Sequence, residues 1–407
     1  MNCRHCNTKL ETIFCDLQTC PPSNAMVKFE ELNEPETYLP LKVFVCSNCW
    51  LVQTDEIKKA DQIFNDEYTY FSSFSSSWLE HSKKYVNYMI ERFGFNENSK
   101  VIEIASNDGY LLQYFKEKNI PVLGVEPTSN TAKVAIDMGI ETITEFFASD
   151  LAIEKLQNKA DLILGNNVLA HVPDINDFVK GVKIALKPNG VNTFEFPHLC
   201  KLIELNQFDT IYHEHFSYLS LTTVKTIFEF HDLEIFDVQQ LPTHGGSLRV
   251  FSKHKEDFSK KIEKNVFDML EFEESIGVNS LNYYKNFQSK VDVIRSSFLS
   301  FLIQAKSENK KVVGYGAAAK GNTLLNYCGI KASDLIDYVV DASPFKQGKY
   351  LPGSRIHVNH PDKINETKPD YIIIFPWNLK SEITSQLSFI KEFGGKFVIN
   401  IPELIIY

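Results

Sequence analysis

Glu103-Ile104-Ala105-Ser106-Asn107-Asp108-Gly109-Tyr110-Leu111-Leu112 decides the fold. An apolar run that starts at Lys100-Val101-Ile102 stops at a tight polar loop, and Tyr110-Leu111-Leu112 then opens a helix. A turn of this kind exposes backbone amides at the carboxyl end of a sheet, where doubly wound folds bind their ligands. Gly109 is the loop's one glycine, so the GxGxxG spacing is missing, and Asp108 would repel a pyrophosphate. A dinucleotide is therefore disfavoured, whereas a cationic sulfonium is tolerated. Glu103, Ala105, Asn107, Asp108, Gly109, Tyr110 and Leu111 are the expected contacts of such a ligand.

Further strands follow at Val122–Val125, Asp161–Leu164 and Val191–Phe196, alternating with amphipathic stretches. This texture predicts an α/β domain with a largely parallel sheet. Glu126 and Pro127 follow the second strand, where an acidic side chain takes both ribose hydroxyls of an adenosine; the plain alternative is a solvated strand-end charge. Asn166 and Asn167 close the next strand, placed for the adenine edge or the methionine portion. Between 257 and 306 the period lengthens. Phe258, Ile262, Val266 and Leu270 recur every four residues, then Tyr284, Phe287, Val291, Ile294 and Phe298, with a break at Gly277-Val278-Asn279. Strands return at Val312–Gly316, Tyr338–Asp341, Tyr371–Phe375 and Phe397–Ile399, predicting a second α/β lobe.

Six of the eight cysteines fall within the first 49 residues. Cys3-x-x-Cys6 and Cys46-x-x-Cys49 supply four thiolates for a closed tetrahedral zinc site, with no position left for a reactive water. Cys15 and Cys20 read as buried thiols or loop residues, and His5, inside the first knuckle, is a less favoured competing ligand. The expected division is thus a zinc-binding domain over 1–70, a ligand-binding α/β domain over 71–254, and a helical connector with a Rossmann-like lobe over 255–407. Across 407 residues, 43% apolar, 42 basic and 52 acidic side chains leave a net charge of −10. That sign is wrong for a surface that tracks nucleic acid phosphates. Neither a signal-peptide pattern nor a run approaching about 18 apolar residues is present, so a cytoplasmic protein without membrane or nucleic acid partners is expected.

Taken in order, the cysteine pairs, segment 103–112, Asn167 with Leu169-Ala170-His171-Val172-Pro173-Asp174, Tyr212-His213-Glu214-His215, His244-Gly245-Gly246-Ser247-Leu248-Arg249 and Gly314-Tyr315-Gly316-Ala317-Ala318-Ala319-Lys320-Gly321-Asn322 resemble the S-adenosylmethionine (SAM)-dependent nucleotide-sugar C-methyltransferases. The resemblance spans nearly the whole chain and implies a class I SAM methyltransferase domain between a zinc domain and a Rossmann-like lobe. Ala105 and Asp108 depart from the general methyltransferase pattern, standing where glycines are common.

Carbon methylation of a sugar needs a carbon nucleophile, which arises beside a ketone once the α-proton is lost to give an enolate. Such a site requires a general base and a donor to the enolate oxygen. Neutral imidazole suits the first role near pH 7. The resemblance implies that His215 is the base, with Tyr212 and Glu214 nearby, His171 stabilising the enolate or orienting substrate, and Tyr70, with Tyr68 in reserve, as an active-site tyrosine. Residues 212 and 215 meet on a helical turn, whereas an extended chain would put 213 and 215 on one side. His244, Gly245, Gly246, Ser247 and Arg249 suit close approach of a sugar or phosphate, with Arg249 as a strand-face charge the alternative. Gly316, Lys320, Asn322, Asp341 and Lys346 of the last lobe would hold the substrate's diphosphate, unless that lobe only closes the cleft. An NAD(P)-dependent nucleotide-sugar oxidoreductase using the Gly314–Gly321 loop is the alternative, and a nucleotide-binding zinc scaffold without activity the third reading.

Overall fold

The computed structural model describes residues 1–59, 70–332 and 334–407. Tyr68 lies outside them. An antiparallel sheet forms the N-terminal module from β1 (Thr12–Cys20), β2 (Leu39–Val45) and β3 (Val52–Thr54). In β2 the alternation is direct: Leu41, Val43 and Val45 are buried, and Pro40, Lys42 and Phe44 are less so. A fourth strand, β9 (Ser217–Tyr218), joins β3 from far along the chain, immediately after the Tyr212–His215 segment. The module is thereby sewn to the middle of the protein.

The middle sheet has seven strands in the order β10-β11-β8-β7-β4-β5-β6. Strands β4 (Val101–Ile104), β5 (Val122–Val125), β6 (Thr142–Ile143), β7 (Ala160–Asn166) and β8 (Leu186–Pro197) run parallel, and β10 (Leu233–Leu241) and β11 (Ser247–His254) add an antiparallel edge. Every residue of β4 is buried, as expected for a strand covered on both faces. The chain moves outward from β4 to β5 and β6, then returns to β7 on β4's other side. This reversal opens a crevice at the carboxyl ends of β4 and β7. Helix α1 (Ser76–Phe93) covers one face through Trp78, Ser82, Tyr85, Val86 and Met89; the Ser75 side chain caps its start and Gly94, at φ 71°, ends it, and α2 (Leu112–Lys116), α3 (Ser129–Asp137), α4 (Ile175–Ala185) and α5 (Leu221–Phe230) follow along the chain.

The connector is helical from Lys264, not from Asp257. Phe258 is 88% exposed and Ile262 also lies before the first helix, α6 (Lys264–Ser275). Asp257 explains the delay: its carboxylate accepts from Ser259 N at 2.8 Å, Ser259 Oγ at 2.6 Å and Lys260 Nζ at 2.6 Å, a turn that competes with helix. Helix α7 (Phe287–Ser307) then packs against the first module, with Phe287 stacked on Phe14 at 4.4 Å. The third sheet orders β14-β13-β12-β15-β16-β17, with β12 (Val312–Tyr315), β13 (Val339–Val340), β14 (Val358–Asn359), β15 (Tyr371–Ile374) and β16 (Lys396–Ile399) parallel and β17 (Ile405–Ile406) antiparallel. Helix α8 (Ala319–Tyr327) follows β12 and faces the middle domain. Among the described residues no helix is long and apolar enough to cross a membrane.

Candidate active site

Three residues of the loop after β4 take left-handed backbone: Ala105 at φ 56°, Asn107 at φ 49° and Gly109 at φ 78°. Ala105 thus holds, at a cost, a conformation that glycine adopts freely. Glu126, at the tip of β5 and 4% exposed, anchors the loop: Oε2 accepts from Asn107 N at 2.9 Å, and Oε1 accepts from Thr128 N at 2.9 Å and from the Thr128 hydroxyl. Burial pushes its carboxyl above the usual range, against the pull of these donors. Asn107 in turn pins the preceding segment, accepting from Ser72 N and donating to Tyr70 O at 2.9 and 3.1 Å; Asp108 accepts from Ser73 N at 3.1 Å. Glu103, Asp108, Gly109 and Leu111 support the loop from behind and do not line the cavity. A side chain at Gly109 would meet Ile140 at 2.6 Å, and Leu111 is wholly core.

Ala105, Asn107, Tyr110, Glu126, Pro127, Asn166 and Asn167 form one end of a cavity of about 580 Å³. Tyr70, His171, Tyr212, Glu214, His215 and His244 line the same space. Residues 212–215 form a turn, closed by His215 N donating to Tyr212 O at 2.9 Å. The turn brings the Tyr212 hydroxyl to His215 Nε2 at 2.8 Å, while His215 Nδ1 lies 2.7 Å from Thr210 O. A carbonyl only accepts, so Nδ1 carries the proton and Nε2 is the basic nitrogen. Burial, then the neighbouring His171, hold His215 well below its ordinary pKa, so it is neutral at pH 7. The His171 ring sits 4.6 Å from it, itself brought down to about 4 by burial. Glu214 is pushed up to about 7 by burial, and Oε1 accepts from Asn24 Nδ2 at 2.7 Å. His213 points elsewhere, bonding Pro40 O at 3.1 Å.

His244 has left-handed backbone (φ 54°), and its Nε2 lies 2.6 Å from Asn167 Nδ2. Its neighbours are structural. A side chain at Gly245 would strike Trp377 at 2.4 Å, one at Gly246 Lys201 at 2.7 Å, and Ser247 Oγ donates to Thr243 O at 3.0 Å. Arg249, expected to be free for a sugar or phosphate, is instead committed to Glu195 at 2.6 Å and lies 4.5 Å above the Tyr85 ring. Burial alone would raise the Glu195 carboxyl, but His81, Arg249 and Thr243 hold it at about 2. The knot also fixes the His244 turn, through Thr243 Oγ1 to Glu195 Oε1 at 2.7 Å.

Lys320 and Lys346 of the third lobe reach the cavity, with Ala318 and Ala319 at the start of α8. Lys320 Nζ donates to Asn378 Oδ1 at 2.8 Å, and burial brings it down to about 8. Gly316, Asn322 and Asp341 stand back from it. Asp341 accepts from Ala317 N at 2.7 Å, and Asn322 donates to Ser23 O at 2.6 Å. The glycine loop after β12 is filled from within: side chains at Gly314 and Gly321 would meet Phe375 at 2.4 and 2.8 Å, and one at Gly316 would meet Pro376 at 2.5 Å. Asn24, Trp78, Phe146, Phe147, Thr210 and Asn378 also line the cavity, and nothing in their local sequence marks them.

The Sγ atoms of Cys3, Cys6, Cys46 and Cys49 all lie within 4.8 Å of one another, with Cys3–Cys49 and Cys6–Cys46 at 3.5 Å. Zinc–sulfur bonds of about 2.3 Å at tetrahedral angles need sulfurs roughly 3.8 Å apart, so the set fits zinc and closes around it. Gln53 Nε2 and Asn48 N donate to Cys3 and Cys46 sulfurs at 3.2 and 3.4 Å. Cys15 and Cys20 are buried away from it, and His5 bonds Asn176 at 2.8 Å. A second cluster, His198, Cys200 and Glu273, is a helix cap: the Glu273 oxygens accept from Leu221 N and Thr222 N, both at 2.7 Å.

A doubly wound sheet with an acidic β5 tip, a single-glycine loop and a closed zinc module defines a SAM-dependent methyltransferase. Comparison with known proteins narrows this. Models of a zinc binding domain, a methyltransferase domain and a C-methyltransferase C-terminal domain match residues 3–64, 78–238 and 242–402. C-methyltransferase NovU of Streptomyces niveus is 37% identical over 370 residues, 90% of this chain and 87% of that protein. The chain belongs to the SAM-dependent C-methyltransferase family with an N-terminal zinc-binding domain. A ubiquinone biosynthesis O-methyltransferase of Idiomarina loihiensis is 28% identical over 141 residues, 31% of this chain and 57% of that protein. A solved SAM-dependent methyltransferase from Archaeoglobus fulgidus, 13% identical, overlays 44% of this chain and all of its own at TM-score 0.34.

Proposed function

We propose that this C-methyltransferase acts on a nucleotide-linked ketosugar and methylates the carbon beside the ketone, with His215 as general base. One observation carries the reading: a neutral, tautomer-fixed His215, whose Nε2 accepts from the Tyr212 hydroxyl, lines with Tyr212 the same cavity as the Glu126–Asn107 loop. Glu126, Asn107, Asn166 and Asn167 would hold SAM, which when bound supplies an electrophilic methyl on a sulfonium. His215 Nε2 would take the α-proton as the Tyr212 hydroxyl gives way, the C–H electron pair would become the enolate, and the carbon would accept the methyl while the C–S electron pair stays on the departing thioether sulfur. Tyr212 Oη, already on Nε2, would steady the imidazolium or pass its proton outward, and His171, whose ring lies 4.6 Å from that of His215, would donate to the enolate oxygen or orient the substrate. A general base of this kind contributes about 10²–10⁴-fold, and one aimed oxyanion donor about 2.7–4 kcal/mol.

Lys320, Lys346 and the start of α8 favour an anionic substrate group at the third-lobe end, which a nucleoside diphosphate supplies. The test is incubation with SAM and a panel of 4-keto nucleoside diphosphate sugars. The reading requires a product heavier by one CH₂ unit whose new methyl is on carbon by NMR. Neutral sugars turned over as well as their nucleotide forms would remove the diphosphate from the account.

A further inference from the structure

The third lobe does more than close the cavity, because it grips the turn that orients His215. Asp209, Thr210 and Ile211 are consecutive and buried at 2%, 5% and 0% exposure. Thr210 carries the carbonyl that accepts from His215 Nδ1. Its two neighbours are each held by one hydrogen bond from the third lobe. Trp377 Nε1 donates to Asp209 Oδ2 at 2.7 Å, and Thr323 Oγ1, on α8, donates to Ile211 O at 2.9 Å. Phe208 packs edge-on against Tyr327 at the end of the same helix, with ring centroids 5.8 Å apart. Within the middle domain the turn closes on itself, through Thr210 N and Oγ1 to Gln207 O at 3.1 and 2.7 Å and Ile211 N to Phe208 O at 2.9 Å; the third lobe adds the two side-chain bonds that hold it from outside.

We propose that Thr323 and Trp377 are positioning residues for the general base, acting through the Asp209–Ile211 turn to aim the Thr210 carbonyl at His215 Nδ1. The inference rests on the reading of His215 as base, and it gives the third lobe, which carries none of the proposed acid–base groups, a part in orienting one of them. With the turn held, Nδ1 keeps its proton and Nε2 stays the acceptor. With it released, His215 exchanges tautomers, and the fraction with a basic Nε2 falls. The lone Oδ1 of Asp209, buried without a hydrogen-bond partner, leaves the Trp377 bond as that carboxylate's only side-chain anchor among the described residues.

The test uses the full-length zinc-loaded enzyme as Thr323→Val and Thr323→Ser, which stay close to threonine in size, and as Trp377→Phe, which removes the indole N–H but keeps an aromatic ring beneath Lys320 Nζ. Ring ¹⁵N NMR of histidine-labelled protein, with His215→Gln to assign the signal, reads the tautomer without any substrate. Wild type should show Nδ1–H alone; Thr323→Val and Trp377→Phe should show a tautomer mixture, and Thr323→Ser should restore wild type. In turnover, the first two variants should lose about tenfold in kcat with KM for SAM within about twofold, and serine should rescue. An unchanged His215 signal in folded Thr323→Val and Trp377→Phe overturns the positioning role. A shifted tautomer with undiminished kcat overturns the role of His215 as base instead, so the two failures are distinguishable.

Discussion

Replacing Glu126 by glutamine should weaken SAM binding more than it weakens the fold. In the native site Oε2 accepts from Asn107 N, and Oε1 accepts from Thr128 N and the Thr128 hydroxyl. Glutamine keeps one acceptor oxygen and turns the other position into a donor, which faces a donor whichever way the amide is placed. Asn107 N–H is the bond at risk, because the Thr128 side retains two donors for the remaining oxygen. Its loss frees a loop in which Ala105 and Asn107 already hold left-handed backbone. A hydrogen bond to a charged group contributes about 1.5–3 kcal/mol, so SAM affinity should fall by roughly 10- to 150-fold. Burial raises the Glu126 pKa, so its charge opposes folding above the unfolded-state pKa; the neutral amide removes that cost while losing the Asn107 bond, and Tm at pH 8 should fall by no more than about a few degrees. Titration calorimetry with SAM, beside thermal unfolding of the same preparation, checks both halves. SAM affinity equal to wild type would refute the assignment of this carboxylate to the ribose end of the site.

Metal analysis should find one zinc per chain, lost in Cys46→Ser. Because Thr54 Oγ1 donates to His215 O at 3.1 Å, turnover should fall with the zinc while SAM affinity, seated on β4 and β5, persists. Arg249→Met should cost about 3–5 kcal/mol in urea unfolding, since it strips the fully buried Glu195 of its nearest cation. The Glu195→Gln/Arg249→Met pair should recover most of that loss, and a single-variant cost under about 1 kcal/mol would show the knot to be dispensable. Glu214→Gln carries a pH signature. Burial raises the folded-state pKa to about 7 from 4.5, so the folded chain binds the extra proton between those values, and this carboxyl's contribution to stability declines as pH rises through that window. The variant should therefore gain up to about 3 kcal/mol at pH 8 and almost nothing near pH 4.5, which unfolding at the two pH values would measure.

Local pattern carried what local physics determines. The loop at 103–112, the paired cysteines and the buried strands each depend on residues within a few positions of one another, and their chemistry is legible from spacing. The open choice at Tyr212–His215 is resolved as a turn by a backbone bond that sequence does not display. Long-range pairing was hidden for the same reason. Strand β9 is two residues long and pairs with β3 across more than 160 positions, so no periodicity announces it. Arg249 looked available because its partner, Glu195, sits 54 residues away on the adjoining strand. The glycines at 314, 316 and 321 suggested a phosphate loop, yet the atoms that require them belong to Phe375 and Pro376. A glycine reports that something approaches closely, not whether it is a ligand or the protein itself.

Proton exchange at the substrate's α-carbon tests the central claim most directly. With a 4-keto nucleoside diphosphate sugar in D₂O, wild-type enzyme should exchange that hydrogen and, once SAM is added, place the methyl on the same carbon. His215→Ala should lose both reactions while binding SAM as wild type does. A methyl found on oxygen or nitrogen, or exchange that persists at full rate in His215→Ala, would contradict the account.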